Sequence, residues 1–171
     1  MIPKNKLVLM DNNNLDITGD FIEIYQDFEN DIYNALKEGL TKISRYGKII
    51  LVYPENAVYP YPRRILHGFR KFCVEHKIDF EVIILKKGDL FITIEETDLV
   101  SLVNQIRDKE FILGVEIGVI SYNDTPLKDL LGITVISTDF KFMGETASRM
   151  ILNKEKGKIK NPFNFIDRNS L

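Results

Sequence analysis

Apolar positions along the chain fall into two alternating patterns. Short, nearly continuous aliphatic runs occur at Lys6 to Met10, Phe21 to Tyr25, Lys48 to Tyr53, Phe80 to Leu85, Leu90 to Ile94, Ile117 to Tyr122, Ile133 to Ser137 and Phe163 to Asp167. Runs of this length, rich in β-branched residues, predict strands buried on both faces of a parallel sheet. Between them, apolar residues recur at helical spacing. Phe28, Ile32, Ala35, Leu36 and Leu40 predict a helix over 28–44, capped by Asp27 and stopped by Gly47. Ile65, Phe69, Phe72 and Cys73 predict one over 63–76, and Glu95-Glu96-Thr97-Asp98 opens another over 99–109. Asp139 caps a last helix reaching Asn153, and Lys154 to Lys160 reads as a basic, glycine-containing turn. The alternation predicts an α/β fold: a Rossmann-like parallel sheet with helices on both faces.

One stretch concentrates the polar signals. The strand 117–122 ends in Asn123-Asp124-Thr125, and the strand 133–137 ends in Thr138-Asp139. Ligands in open α/β sheets bind beyond the carboxyl ends of strands, so two such clusters close in sequence predict one cleft. The plainer reading is a turn at Asn123 to Pro126 and a helix cap at Asp139.

The last helix carries Phe140, Met143, Ala147, Met150 and Ile151 on one face, with Phe142 and Leu152 beside it. So wide a stripe needs a partner, either the sheet or a second lobe. Association through this helix and Leu7 to Met10 is expected.

Composition narrows the classes. The 171 residues are 44% hydrophobic and 28% charged, in keeping with a soluble globular domain or part of a larger one. With 23 basic and 25 acidic residues, the net charge of -2 carries no footprint for nucleic acid or a membrane surface. The single Cys73 excludes an internal disulfide and fits a reducing compartment. Met1-Ile-Pro-Lys leads straight into a strand, giving the expectation of no signal peptide, no membrane association and a cytoplasmic location.

Familiar catalytic signatures are missing. The glycines form neither G-x-G-x-x-G nor a P-loop, and no G-x-S-x-G elbow occurs. His67, His76 and Cys73 read as structural or solvated, so neither a metal site nor a cofactor is expected. The carboxylates Glu95, Glu96, Asp98, Asp124 and Asp139 stand at strand ends. Hydrogen bonding to a neutral polar ligand is their simplest use, with aromatic surface drawn from Tyr25, Tyr53, Tyr59, Tyr61 and Tyr122.

Gly118-Val-Ile-Ser-Tyr-Asn-Asp-Thr125, Gly132-Ile-Thr-Val-Ile-Ser-Thr-Asp-Phe140 and Met143-Gly-Glu-Thr-Ala147 follow one another in the chain, and in that order they resemble the effector domain of LacI/GalR-type regulators. Upstream, Ile2-Pro3 with Leu7 to Asp11 resembles the family's first crossover strand, Asp27 the residue opening its next helix, and Gly47 to Val52 a Gly-His-x-x-Ile strand. Arg64 with Gly68-Phe69 resembles its Arg-x-x-Gly-Phe helix. Ser121 to Lys128, Asn161-Pro-Phe and Arg168-Asn-Ser-Leu171 are similar to GntR-headed regulators carrying the same sensor fold.

This resemblance implies a periplasmic-binding-protein-like fold, of which the chain holds one lobe and part of a second. Residues 12–115 would form the second lobe, 1–11 and 116–160 crossover and first-lobe elements, and 161–171 the tail. The helix-turn-helix head and most of the first lobe would lie outside it. The implied function is sensing of a sugar or related small polar metabolite, without catalysis, by a cytoplasmic homodimer that meets DNA only through that missing head. Position by position, the resemblance assigns ligand contacts to Asn123, Asp124, Thr138 and Arg64, and the strand-end Tyr122 and Asp98 complete the candidate set. The family's arginine stands where this chain has Ile65, so the resemblance leaves its role to Arg64 or Arg63, or lost from this chain. Its Asn-Asp before the next helix reads Glu95-Glu96-Thr97-Asp98, which implies a different ligand from that of the best-known members. The alternatives are a transport-type sugar-binding protein of the same fold and a small Rossmann-type enzyme using Asp124 and Asp139.

Overall fold

The aliphatic runs form two parallel sheets. In the computed structural model, which describes residues 3, 6–12, 18–53, 61–80 and 88–171, the chain divides into two compact units. One comprises residues 1–27 and 138–164, the other 28–137 and 165–171. The chain therefore passes between units after Asp27, Ser137 and Asn164.

The smaller unit has three strands in the order β1 (Val8–Asn12), β2 (Ile22–Gln26), β8 (Gly157–Lys160), all parallel. Ile22 and Ile24 of β2 pack against Met143, Ala147 and Met150 of helix α6 (Phe140–Leu152), with Val8 and Ile159 beside them. The stripe on α6 is thus partly covered by its own unit, while Phe140, Ile151 and Leu152 stay more than half exposed.

The second sheet, all but Thr138, Phe163 and Asn164 of it in the larger unit, has six strands in the order β4 (Asp79–Phe80), β3 (Lys48–Val52), β5 (Asp89–Thr93), β6 (Gly118–Tyr122), β7 (Thr134–Thr138), β9 (Phe163–Ile166). β4, β3, β5, β6 and β7 run parallel. Consecutive residues of the central strands are buried, among them Leu90, Phe91 and Ile92, as covering both faces requires. One face packs Ile50, Phe91, Val119 and Val135 on Leu99, Leu102 and Ile106 of α4 (Glu96–Asp108).

Helix α1 (Phe28–Glu38) packs on α3 (Arg64–Glu75) at very close range. A Cβ built at Gly68 would lie 2.1 Å from the Glu29 carbonyl oxygen, so the position has no room for a side chain. The 28–44 helix is in fact two, because Gly39 separates α1 from α2 (Leu40–Ile43). The Phe165 ring stands 2.7 Å from where a Gly39 Cβ would be.

Other outcomes depart from the pattern. The 154–160 segment is not all turn: Gly157 to Lys160 pairs with β2, from Ile22 opposite Gly157 onward. Its Gly-Lys-Ile-Lys sequence has one inward apolar residue, Ile159, and lysines suited to a sheet edge. Residues 116–137, expected with the crossover and first-lobe elements, lie in the six-stranded unit, because β6 pairs with β5 and β7 with β6. Residues 22–26, expected with the second lobe, lie in the three-stranded unit for the same reason, since β2 pairs with β1. The strand expected over 80–85 is described only at Asp79–Phe80, and residues 81–87 lie outside the described residues. Among the described residues, no helix is long and apolar enough to cross a membrane.

Candidate functional site

The carboxyl ends of β5 and β6 bound an open cleft of roughly 380 Å³ in the six-stranded unit. Ile94 to Thr97 line it from β5 and the start of α4, Tyr122 and Asn123 from β6, and Tyr61, Thr125 and Lys128 close its sides.

The strand-end loop is held from several directions. Asn123 adopts the left-handed backbone region at φ 59°, which asparagine tolerates better than most residues. Its N–H donates to the Ile136 carbonyl at 2.8 Å, and the Asp124 N–H donates to Ser137 Oγ at 2.9 Å. Thr125 then caps α5 (Pro126–Leu130), accepting from the Lys128 N–H, with Pro126 at the first helical position. The anticipated turn is therefore also a helix start.

Lys128, not among the candidate site residues, is 2% exposed. Its ammonium donates to the Tyr122 carbonyl at 2.8 Å and the Asn123 carbonyl at 2.9 Å. Glu96 Oε1 stands 3.9 Å away. Burial pulls the Lys128 pKa down, against the opposing pull of Glu96 and Asp124. The only sequence signal for it was its place two residues after Pro126, on the inward side of one helical turn.

Tyr122 and Asn123 line the cleft, as does Tyr61 from the aromatic candidates. Burial raises the Tyr61 hydroxyl pKa, with the charges of Glu95 and Asp98 adding to it, so Asp98 lies within electrostatic reach of the same wall. Tyr53 donates its hydroxyl to the Tyr61 carbonyl at 2.6 Å. Tyr59 lies outside the described residues.

The remaining candidates are placed elsewhere. Asp124 turns to Arg168, which grips both carboxylate oxygens at 2.9 Å and holds this carboxyl below its ordinary range. Arg168 also reaches Asp129 at 3.0 Å and the Ile133 carbonyl at 2.9 Å. Arg64 is an exposed residue at the start of α3 and is not among the cleft-lining residues described.

Thr138 belongs to the three-stranded unit, where its Oγ1 accepts from Gln26 Nε2 at 2.9 Å. Asn161, fully buried there, donates to the Asp139 and Pro162 carbonyls. Asp139 caps α6, accepting from the Phe142 N–H at 2.8 Å, as its spacing predicted.

The chemistry available is hydrogen bonding and charge, with aromatic surface. Among the described residues, no group of three or more His, Cys, Asp or Glu side chains could hold a metal ion. Cys73 is buried, and desolvation pushes its thiol up to about 12.

No family model matches the chain, and no curated protein matches it in sequence. Solved structures do match its fold. A dimeric lac repressor with a C-terminal deletion and one substitution superposes at a TM-score of 0.69 and 16% identity, over 95% of this chain and 68% of that one. The periplasmic binding ribose operon repressor protein from Lactobacillus acidophilus gives 0.70 and 17%, over 99% and 73%. A periplasmic binding protein/LacI transcriptional regulator from Alkaliphilus metalliredigens QYMF, complexed with D-xylulofuranose, gives 0.68 and 17%, over 95% and 69%. The chain has the periplasmic-binding-protein-like α/β fold seen in LacI-type transcription regulators.

Proposed function

We propose that this chain is the effector-binding portion of a bacterial transcription regulator of LacI or GntR type, sensing a sugar or related small polar metabolite. The observation that carries the reading is the strand-end cleft. Tyr61 and Tyr122 offer aromatic surface there, and Asn123, Glu95 and Glu96 offer hydrogen-bonding groups. A similar fold carries D-xylulofuranose in one structural neighbour, and another neighbour is a lac repressor dimer bound to operator.

In this reading Tyr122, Asn123 and Asp98 serve the ligand directly. Asp124 shapes the loop through Arg168, and Thr138 and Arg64 contribute from their own elements. The protein works in the cytoplasm as a homodimer, and a separate helix-turn-helix domain contacts DNA. Ligand acts by stabilising one arrangement of the sensor over another.

A thermal-shift screen of monosaccharides and sugar phosphates tests this reading. A specific ligand raises the unfolding midpoint with concentration, because it binds the native state and not the unfolded one. A midpoint that no sugar moves sinks the reading.

A further inference from the structure

Lys128 carries more hydrogen-bonding capacity than the described residues around it use. An ammonium has three N–H donors. Two go to the Tyr122 and Asn123 carbonyls, and for the third no acceptor stands within hydrogen-bond distance among the described residues. A buried cation with an unused donor is costly, because the lost water contact is not replaced. Glu96 Oε1, 3.9 Å from Nζ, is too far for a direct bond. Both residues line the cleft, and the Glu96 side chain is 58% exposed.

A gap of this size suits one oxygen about 2.8 Å from each side. The bridging atom must accept from Lys128 and donate to Glu96, and only a group that does both completes the pair. A hydroxyl does both. A carboxylate or phosphate accepts from Lys128 but faces Glu96 with a second negative charge, and Glu95 stands on the same wall. An ammonium suits Glu96 but repels Lys128.

We propose that Lys128 and Glu96 form a hydroxyl clamp, so that the cleft takes a neutral polyhydroxylated ligand and discriminates against its carboxylate counterpart. The inference rests on the sensor reading above and specifies the ligand chemistry of that same cleft. Lys128 would have two tasks: two donors shape the strand-end loop, and the third binds ligand.

The test is calorimetric titration of the full chain with D-xylose, D-ribose, L-arabinose and D-galactose, and with D-gluconate and D-galacturonate as charged probes. The proteins compared are the wild type, Lys128→Met and Glu96→Ala. One neutral sugar is expected to bind the wild type, with about tenfold weaker binding in each variant, the scale of one charge-assisted hydrogen bond. A deoxy analogue lacking the clamped hydroxyl is expected to bind the wild type and both variants alike, an equality that general loosening of the loop would not produce. If Lys128→Met fails to fold, Glu96→Ala, altered at an exposed first-turn residue, carries the same comparison. Undiminished sugar affinity in Glu96→Ala overturns the clamp and leaves the sensor reading standing. Tighter binding of gluconate or galacturonate than of any neutral sugar also overturns the clamp alone. A wild type that binds none of the probes overturns the sensor reading and the clamp with it.

Discussion

Arg168 holds Asp124 with two parallel bonds, Nη1 to Oδ1 and Nη2 to Oδ2, both 2.9 Å long. Forty-four positions separate the two residues, yet this fork ties the tail to the loop that carries Asn123. Arg168→Ala is expected to cost about 2 kcal/mol, the scale of hydrogen bonds to a charged group. The Arg168 hydrogen bond is the main reason the Asp124 carboxyl lies below its ordinary value of 3.8. A depressed folded-state pKa gives stability that is complete above the unfolded value and lost as pH falls through the folded one. The gap between wild type and Arg168→Ala is therefore widest above pH 3.8 and narrows below it. Urea midpoints measured from neutral pH into the acid range check this, and a gap that does not change with pH refutes the linkage.

Two glycine-to-alanine substitutions should move stability in opposite directions. At Gly68 the new methyl would meet the Glu29 carbonyl, which is main chain and cannot swing aside. The α1–α3 contact must then open, at a cost of about 3 kcal/mol. At Gly144, inside α6, a Cβ would meet nothing within 4 Å. Alanine there should raise stability by about 0.5–1 kcal/mol through helix propensity. Denaturant titration of both variants checks the contrast.

Ser170 is fully buried and bridges two strands. Its hydroxyl donates to the Val119 carbonyl at 2.6 Å and accepts from the Thr134 N–H at 2.7 Å. Ser170→Ala strips a partner from each main-chain group and should cost about 2–3 kcal/mol. Hydrogen exchange is the sharper readout, since the Thr134 amide is expected to lose protection before amides of the three-stranded unit do.

Asn123→Gly separates backbone from ligand chemistry. Glycine accepts φ 59° without strain, so the loop should keep its backbone path, and the Asn123 N–H should stay on the Ile136 carbonyl. The amide is lost from the cleft, so the thermal shift produced by a sugar ligand should shrink. A full-sized shift in this variant would remove Asn123 from the binding set.

The order of elements was legible because burial on both faces writes itself as continuous aliphatic runs. Lys-Ile-Ile-Leu-Val and Gly-Val-Ile-Ser-Tyr both became central strands. Where a segment is held by partners distant in the chain, local pattern was silent. β8 is a strand because β2 lies beside it, and its own four residues carry one inward apolar side chain. The site divides in the same way. Tyr122 and Asn123 line the cleft because the last residues of a buried strand emerge at its end. Asp124, next in sequence, is turned aside by an arginine forty-four positions away, which no local spacing reveals.

From its sequence alone this protein is an α/β chain of parallel strands, its polar strand ends gathered around 121–125 and 138–139, because apolar periodicity and turn chemistry are local properties. Only tertiary structure decided that residues 116–137 join the six-stranded unit, that Asp124 binds Arg168, and that Lys128 is buried beneath the loop. Those outcomes depend on which strand ends and side chains meet across long sequence separations, and the pairing energies that decide them exist only once the chain has folded.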